Sequence, residues 1–141
     1  MELKDLAAIS GKPGLYKIIK PARASIIVES FDHHRKKMVI SANQRVSVLD
    51  EISVYTNNSE GSTPLIDVFQ TIYREYGLEQ ALDDDATNAE YLSFFKTILP
   101  EYDQSRVYAS DIKKIIRWYY LLLKESPQLI TGASSEKDEE E

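Results

Sequence analysis

At 141 residues the chain is long enough to bury about two thirds of its unfolded surface in one domain or two small packed units. It contains no cysteine, which excludes disulfides, thiolate metal sites and cysteine nucleophiles and makes a reducing cytoplasm the simplest setting. The formal charge of -6 is uneven: residues 1–60 have nine Lys/Arg against seven acids, residues 61–128 seven against eleven, and residues 129–141 one against five. Only the first segment keeps the basic excess on which generic nucleic-acid binding draws.

The N-terminus lacks the basic flank and apolar run of a secretory signal, and no later apolar stretch approaches the ~20 residues that cross a bilayer. A soluble, cytoplasmic protein is the expectation. Leu3, Leu6 and Ile9 recur at a spacing of three and predict a short helix or turn. Ser10-Gly11-Lys12-Pro13-Gly14 ends it as a turn, because Pro13 favours an extended Lys12 and the two glycines permit positive φ. A phosphate-cradling P-loop would need Ser or Thr after its Gly-Lys and then a helix, whereas Pro-Gly follows here.

Strands are predicted over 15–20, 25–31, 37–42 and 46–56, the last with a break near 49–51, from their β-branched and aromatic content. Both faces of the first two have apolar residues, as in a small sheet that curls over itself or is covered by helices. The fold class is therefore α+β: a small N-terminal β-barrel-like unit over 1–60, with an SH3-like topology as the first guess, followed by a three-to-four-helix unit over 61–128.

Asn57-Asn58-Ser59-Glu60-Gly61-Ser62 is rich in turn formers and marks the hinge. Thr63 is expected to cap a helix with Pro64 at its first position, followed by the stripe Leu65, Val68, Phe69, Ile72 and Tyr76 and ended by Gly77. A brief turn over 78–82 leads to the acidic loop Asp83-Asp84-Asp85. Thr87 and Glu90 form a capping box for a second helix, with Tyr91, Phe94, Phe95 and Ile98 on its apolar face and Pro100 after it. A third helix, capped by Ser110 or Ala109, runs through Ile112, Ile115, Ile116, Tyr119, Leu122 and Leu123 to Ser126-Pro127, its stripe widened by Trp118 and Leu121. Residues 129–141 read as a disordered acidic tail.

The segments Ser10-Gly11-Lys12-Pro13-Gly14-Leu15-Tyr16-Lys17, Val28-Glu29-Ser30, Ile52-Ser53-Val54-Tyr55 and Ser110-Asp111-Ile112-Lys113-Lys114-Ile115 with Trp118-Tyr119 resemble a bacterial family of uncharacterised proteins. That resemblance implies a domain of unknown function followed by a helical companion, and a bacterial cytoplasmic setting. It implies no activity and transfers no catalytic residue. The Ser-Gly-Lys-Pro-Gly-Leu-Tyr segment is its expected hallmark.

Two clusters are candidates for contact with partners. His33-His34-Arg35-Lys36-Lys37 falls at an expected hairpin tip, where it would grip phosphate, with Arg35 as a bidentate donor and Tyr16 or Tyr55 as stacking surfaces. A solvated turn is the plainer reading of the same residues. Adjacent histidines on an extended chain point apart and no third histidine exists, so no metal site is expected. Asp83-Asp84-Asp85 lacks the spread of oxygens of an EF-hand and suits the start of a helix instead. Tyr73, Tyr102, Tyr108 and Tyr120 lie off the apolar stripes and are candidates for a docking surface. The resulting expectation is a non-enzymatic binding protein that acts through protein contacts or self-association, with RNA or ribosome association through the basic hairpin tip as the alternative. No cofactor, no membrane and no small-molecule substrate are expected.

Overall fold

The computed structural model describes residues 1–77, 82 and 85–131. The expected turn over 78–82, apart from Leu82, and the loop at 83–85, apart from Asp85, fall outside that set. So do residues 132–141. A 3-10 turn at Leu3–Asp5 leads into β1 (Leu6–Ile9), followed by β2 (Tyr16–Ala22), β3 (Ser25–Ser30), β4 (Lys37–Ser41) and β5 (Val46–Val48). After a 3-10 turn at Leu49–Glu51 come β6 (Ser53–Tyr55) and β7 (Ser62–Pro64), then α1 (Leu65–Tyr76), α2 (Asn88–Ile98), α3 (Ala109–Glu125) and α4 (Gln128–Thr131).

The first five strands form one antiparallel sheet in the order β4-β3-β2-β1-β5. In a flat sheet β4 and β5 would lie about 19 Å apart, four strand spacings. They are joined by residues 42–45 alone, and the Gln44 N–H donates to the Ser41 carbonyl at 3.0 Å, which closes a turn. Such a turn spans less than about 7 Å, and two more residues add about 7 Å at most. The sheet must therefore curl, and the irregular register of β2 between Ile18 and Lys20 is where it bends. Ile9, Tyr16, Val28 and Ile40 pack inside the curl. No pairing joins β4 to β5 among the described residues, so the closed barrel expected from the sequence is not found. β5 is only three residues long and passes straight into the 3-10 turn, which leaves little edge to pair.

The predicted lead-in helix is instead strand β1. Leu6, Ala7 and Ile9 are all buried, so a fully covered strand of four residues produced the spacing of three that imitates a helical turn. α1 begins one residue later than expected, because Thr63 pairs with Val54 across β6 and β7 and Pro64 becomes the residue before the helix. Gly77 ends it at φ +62°, its N–H on the Tyr73 carbonyl at 2.7 Å. The capping box of α2 is present: the Glu90 N–H donates to Thr87 Oγ1 at 3.1 Å, and the Thr87 N–H to Glu90 Oε1 at 2.7 Å. Tyr108, not Ser110 or Ala109, precedes α3, and its N–H donates to the Asp111 carboxylate at 3.0 Å.

A second cluster joins the sheet to the helices: Leu6, Leu15, Phe31 and Leu49 pack with Phe69, Phe95, Ile112, Ile116 and Tyr119. α3 lies at its centre, as the width of its apolar stripe requires. The first three residues of the expected tail, 129–131, are instead part of a helix. Gln128–Thr131 is helical, Ile130 is buried, and its carbonyl accepts the Gln70 side-chain amide at 3.2 Å. No described helix is long and apolar enough to cross a membrane.

Candidate functional site

The turn between β1 and β2 is built by its glycines. The Lys12 N–H donates to the Ile9 carbonyl at 3.0 Å, with Gly11 in the third position of the turn at φ +84°, a conformation that opposes any side chain. The turn is tied to the start of β5, since the Ser10 N–H donates to the Arg45 carbonyl at 3.0 Å and the Gln44 amide donates to the Ser10 carbonyl at 3.1 Å. Tyr16 fixes its other end through a hydroxyl hydrogen bond to the Pro13 carbonyl at 3.1 Å. These ties hold Lys12 and Arg45 on the rim of one opening.

Helix α3 supplies the opposite wall. Lys114, Arg117 and Trp118 are spaced i, i+3 and i+4, so one solvent-facing strip bears both cations and the ring. Lys114 and Arg117 are exposed and Trp118 is half-buried. The cleft between turn and helix has a volume of about 540 Å³, and among the described residues its lining includes Lys12, Arg45, Lys114 and Arg117 but no carboxylate. A smaller cavity of about 270 Å³ shares Ile52, Lys114 and Trp118 with it and continues toward Tyr55 and Arg106. There the Arg106 guanidinium lies 4.7 Å from the centre of the Tyr55 ring, and its Nε is 3.4 Å from the Asp103 carboxylate. Asp111, the acid of this second cavity, already accepts the Tyr108 N–H. Chemically, the arrangement offers exposed cations and aromatic side chains, which suits capture of an anion.

His33, His34, Arg35 and Lys36 lie in the loop joining β3 to β4 and Lys37 is the first residue of β4, paired with Glu29; all five are exposed. Asp32 organises this loop. Its Oδ1 accepts the Ser30 hydroxyl and the His34 N–H, both at 2.9 Å, and the Arg35 N–H at 3.2 Å. Partial desolvation pushes the Asp32 carboxyl up, but those hydrogen bonds and the nearby His34 together hold it below its ordinary value. The rings of His33 and His34 lie with centres 3.9 Å apart, tilted by 39°, so the two do not point apart as an extended chain would place them. Among the described residues no group of three or more His, Asp or Glu is placed to hold a metal ion. The hairpin loop lies beside the glycine turn: Tyr16 pairs with Ser30, and the Phe31 N–H donates to the Leu15 carbonyl at 2.9 Å.

The tyrosines divide. Tyr102 is buried with its ring edge-on to Phe95 at 5.2 Å, which removes it from any docking surface. Tyr73 and Tyr120 are half-buried against the main core, and only Tyr108 of the four is fully exposed. Tyr16, expected as a stacking surface, is buried, and burial followed by the charge of Asp32 pushes its hydroxyl pKa up. Tyr55 remains half-exposed. Asp103 is held low by the Ser105 hydroxyl and N–H, with help from Arg106 against some desolvation.

The cleft residues Arg45, Lys114, Arg117 and Trp118 escaped the sequence reading because they come from segments far apart in the chain. One signal was available. Lys114 and Arg117 flank the half-buried Trp118 on a helix whose apolar stripe is already too wide for a single partner surface.

Two family descriptions match the chain in succession: Domain of unknown function (DUF5606) over residues 3–49 and Domain of unknown function (DUF6852) over residues 52–122. A solution NMR structure from Bacteroides vulgatus, determined by the Northeast Structural Genomics Consortium, is 33% identical and superposes with a TM-score of 0.73. The match covers 89% of this chain and 88% of that one. No curated protein matches. The glycine turn lies in the first matched region and α3 in the second, so the cleft straddles their junction.

Proposed function

The chain belongs to the family described by DUF5606 and DUF6852, and we propose that it acts as a non-enzymatic cytoplasmic binding protein whose recognition surface is the cation-lined cleft between the glycine turn and α3. One observation supports this reading above all. Three separate segments of an acidic protein deliver Lys12, Arg45, Lys114 and Arg117 to one opening that no carboxylate lines among the described residues. Such a concentration of one sign focuses a positive potential and selects an anionic ligand. Among the described residues the side chains with displaced pKa values, Tyr16, Asp32, Asp103 and Tyr119, all lie outside the cleft lining and are explained by turns and core packing. That distribution favours binding over catalysis.

The tyrosine docking surface has less support than the sequence suggested, with Tyr102 in the core. The position of the hairpin loop beside the glycine turn favours the second expectation, contact with RNA, since Arg35, Lys36 and Lys37 extend the positive region at that end of the sheet. An SH3-like arrangement of the β unit is supported by the strand order, with β5 next to β1, and by the curl. Calorimetric titration with inorganic tripolyphosphate tests the cleft itself. We expect binding that weakens with salt and falls at least tenfold in the Lys114→Ala, Arg117→Ala double variant. Absence of binding at low salt, or equal binding by the variant, refutes the proposal.

A further inference from the structure

We infer that the ligand is a single-stranded polynucleotide, lying along the groove that α3 forms first with the glycine turn and then with β6. The inference rests on the proposed anion binding at the cleft and specifies its occupant. The two cavities share Ile52, Lys114 and Trp118 and so adjoin along α3. Along α3 the lining residues Asp111, Lys114 and Trp118 span about 10 Å, close to two turns of helix.

The groove alternates charge with aromatic faces. Lys12, Arg45 and Arg117 lie at one end, Trp118 and Lys114 in the middle, and Tyr55 with Arg106 at the other, where the lining also includes the Asp111 carboxylate, held by the Tyr108 N–H. Single strands are held by this combination: cations follow the phosphates, and unpaired bases stack on aromatic rings without regard to sequence. A free phosphate would use the cations alone, as would an acidic peptide. A duplex keeps its base faces hidden and would leave Trp118 unused. An elongated groove also suits a linear ligand better than a compact one.

Trp118 is the chain's sole tryptophan, so its emission reports occupancy of the groove directly. The test titrates the full chain with octamers of uridylate and of thymidylate, and in parallel with tripolyphosphate and with polyglutamate of matched charge. Saturable quenching by either octamer, well beyond that of the two polyanions without bases, is the expected result; preference for one octamer assigns the strand as RNA or DNA. In the Lys114→Ala, Arg117→Ala variant, binding of a labelled octamer should fall about tenfold or more. Its salt slope should flatten by about 1.4, since each single-strand phosphate that is no longer neutralised removes about 0.7. Both side chains are exposed, so the variant should fold, and Trp118→Leu followed by the same labelled octamer should lose about tenfold through stacking alone.

Equal quenching by octamers and base-free polyanions overturns the inference and leaves the anion cleft standing. Octamer binding that is untouched by the α3 changes but abolished on replacing Arg35, Lys36 and Lys37 by Ala moves the strand to the hairpin and also overturns it. No binding by any probe removes both this inference and the proposed function.

Discussion

Replacing Tyr119 by Phe should destabilise the protein at neutral pH and make no difference at pH 11. Tyr119 is fully buried on α3, its ring 6.0 Å from Phe69, and its hydroxyl donates to the Gly77 carbonyl at 3.0 Å. Loss of that one neutral hydrogen bond should cost about 1 kcal/mol near pH 8. Burial, followed by the charges of Tyr120 and Tyr73, pushes the Tyr119 pKa up to about 12, against an ordinary tyrosine value near 10. The folded state therefore holds its proton longer than the unfolded chain, and the associated stability is complete below pH 10 and lost as pH rises toward 12. At pH 11 that loss comes to about 1.4 kcal/mol by linkage. The phenylalanine side chain of the variant does not titrate and is spared the loss, so the two proteins should converge or slightly cross. Urea denaturation of both proteins at pH 8 and pH 11 measures the gap, and because only the difference is used, alkaline titrations not coupled to Tyr119 cancel. A gap that stays near 1 kcal/mol at both pH values would refute the reasoning.

Other changes probe the turns and caps. Gly11→Ala should cost about 1 kcal/mol in chemical denaturation, because φ is +84° while nothing lies within 4 Å of the added carbon; a loss several times larger would mean that the turn makes a close contact. Thr87→Ala should cost about 1 kcal/mol by removing the oxygen that accepts the Glu90 N–H, and Thr87→Ser should restore most of it. Asp32→Ala should accelerate hydrogen exchange at His34 and Arg35 without unfolding the chain. The depressed pKa of Asp32 gives a sign: its contribution is present above the unfolded carboxyl value near 3.9 and is lost as pH falls through the lower folded value. Exchange at these two amides that is unchanged in the variant would show that the loop is held by something other than this carboxylate.

The change of hydrophobic period near residue 60 was legible because α1, α2 and α3 bury one face each and their stripes survive in the chain, although strand β7 lies just beyond it. Local chemistry was legible where a few neighbouring residues decide it, as at Thr87 with Glu90 and at Gly77. β1 was not, since Leu6, Ala7 and Ile9 are covered on both sides and leave no alternation to read. Tyr102 looked free because it lies beyond the end of α2, yet the chain that follows folds back and seats it on Phe95. The cleft depends on tertiary packing: Lys12 and Arg117 meet across the molecule only because Leu6, Leu15 and Leu49 share one core with Ile112 and Ile116.

Amide chemical-shift mapping during a titration with tripolyphosphate tests the cleft most directly, because it locates the ligand without altering the chain. An anion held between the glycine turn and α3 should shift residues 10–14, Arg45 and the stretch from Lys114 to Trp118 above all others. Shifts confined to the loop from His33 to Lys37, or scattered evenly over the surface lysines, would contradict that placement.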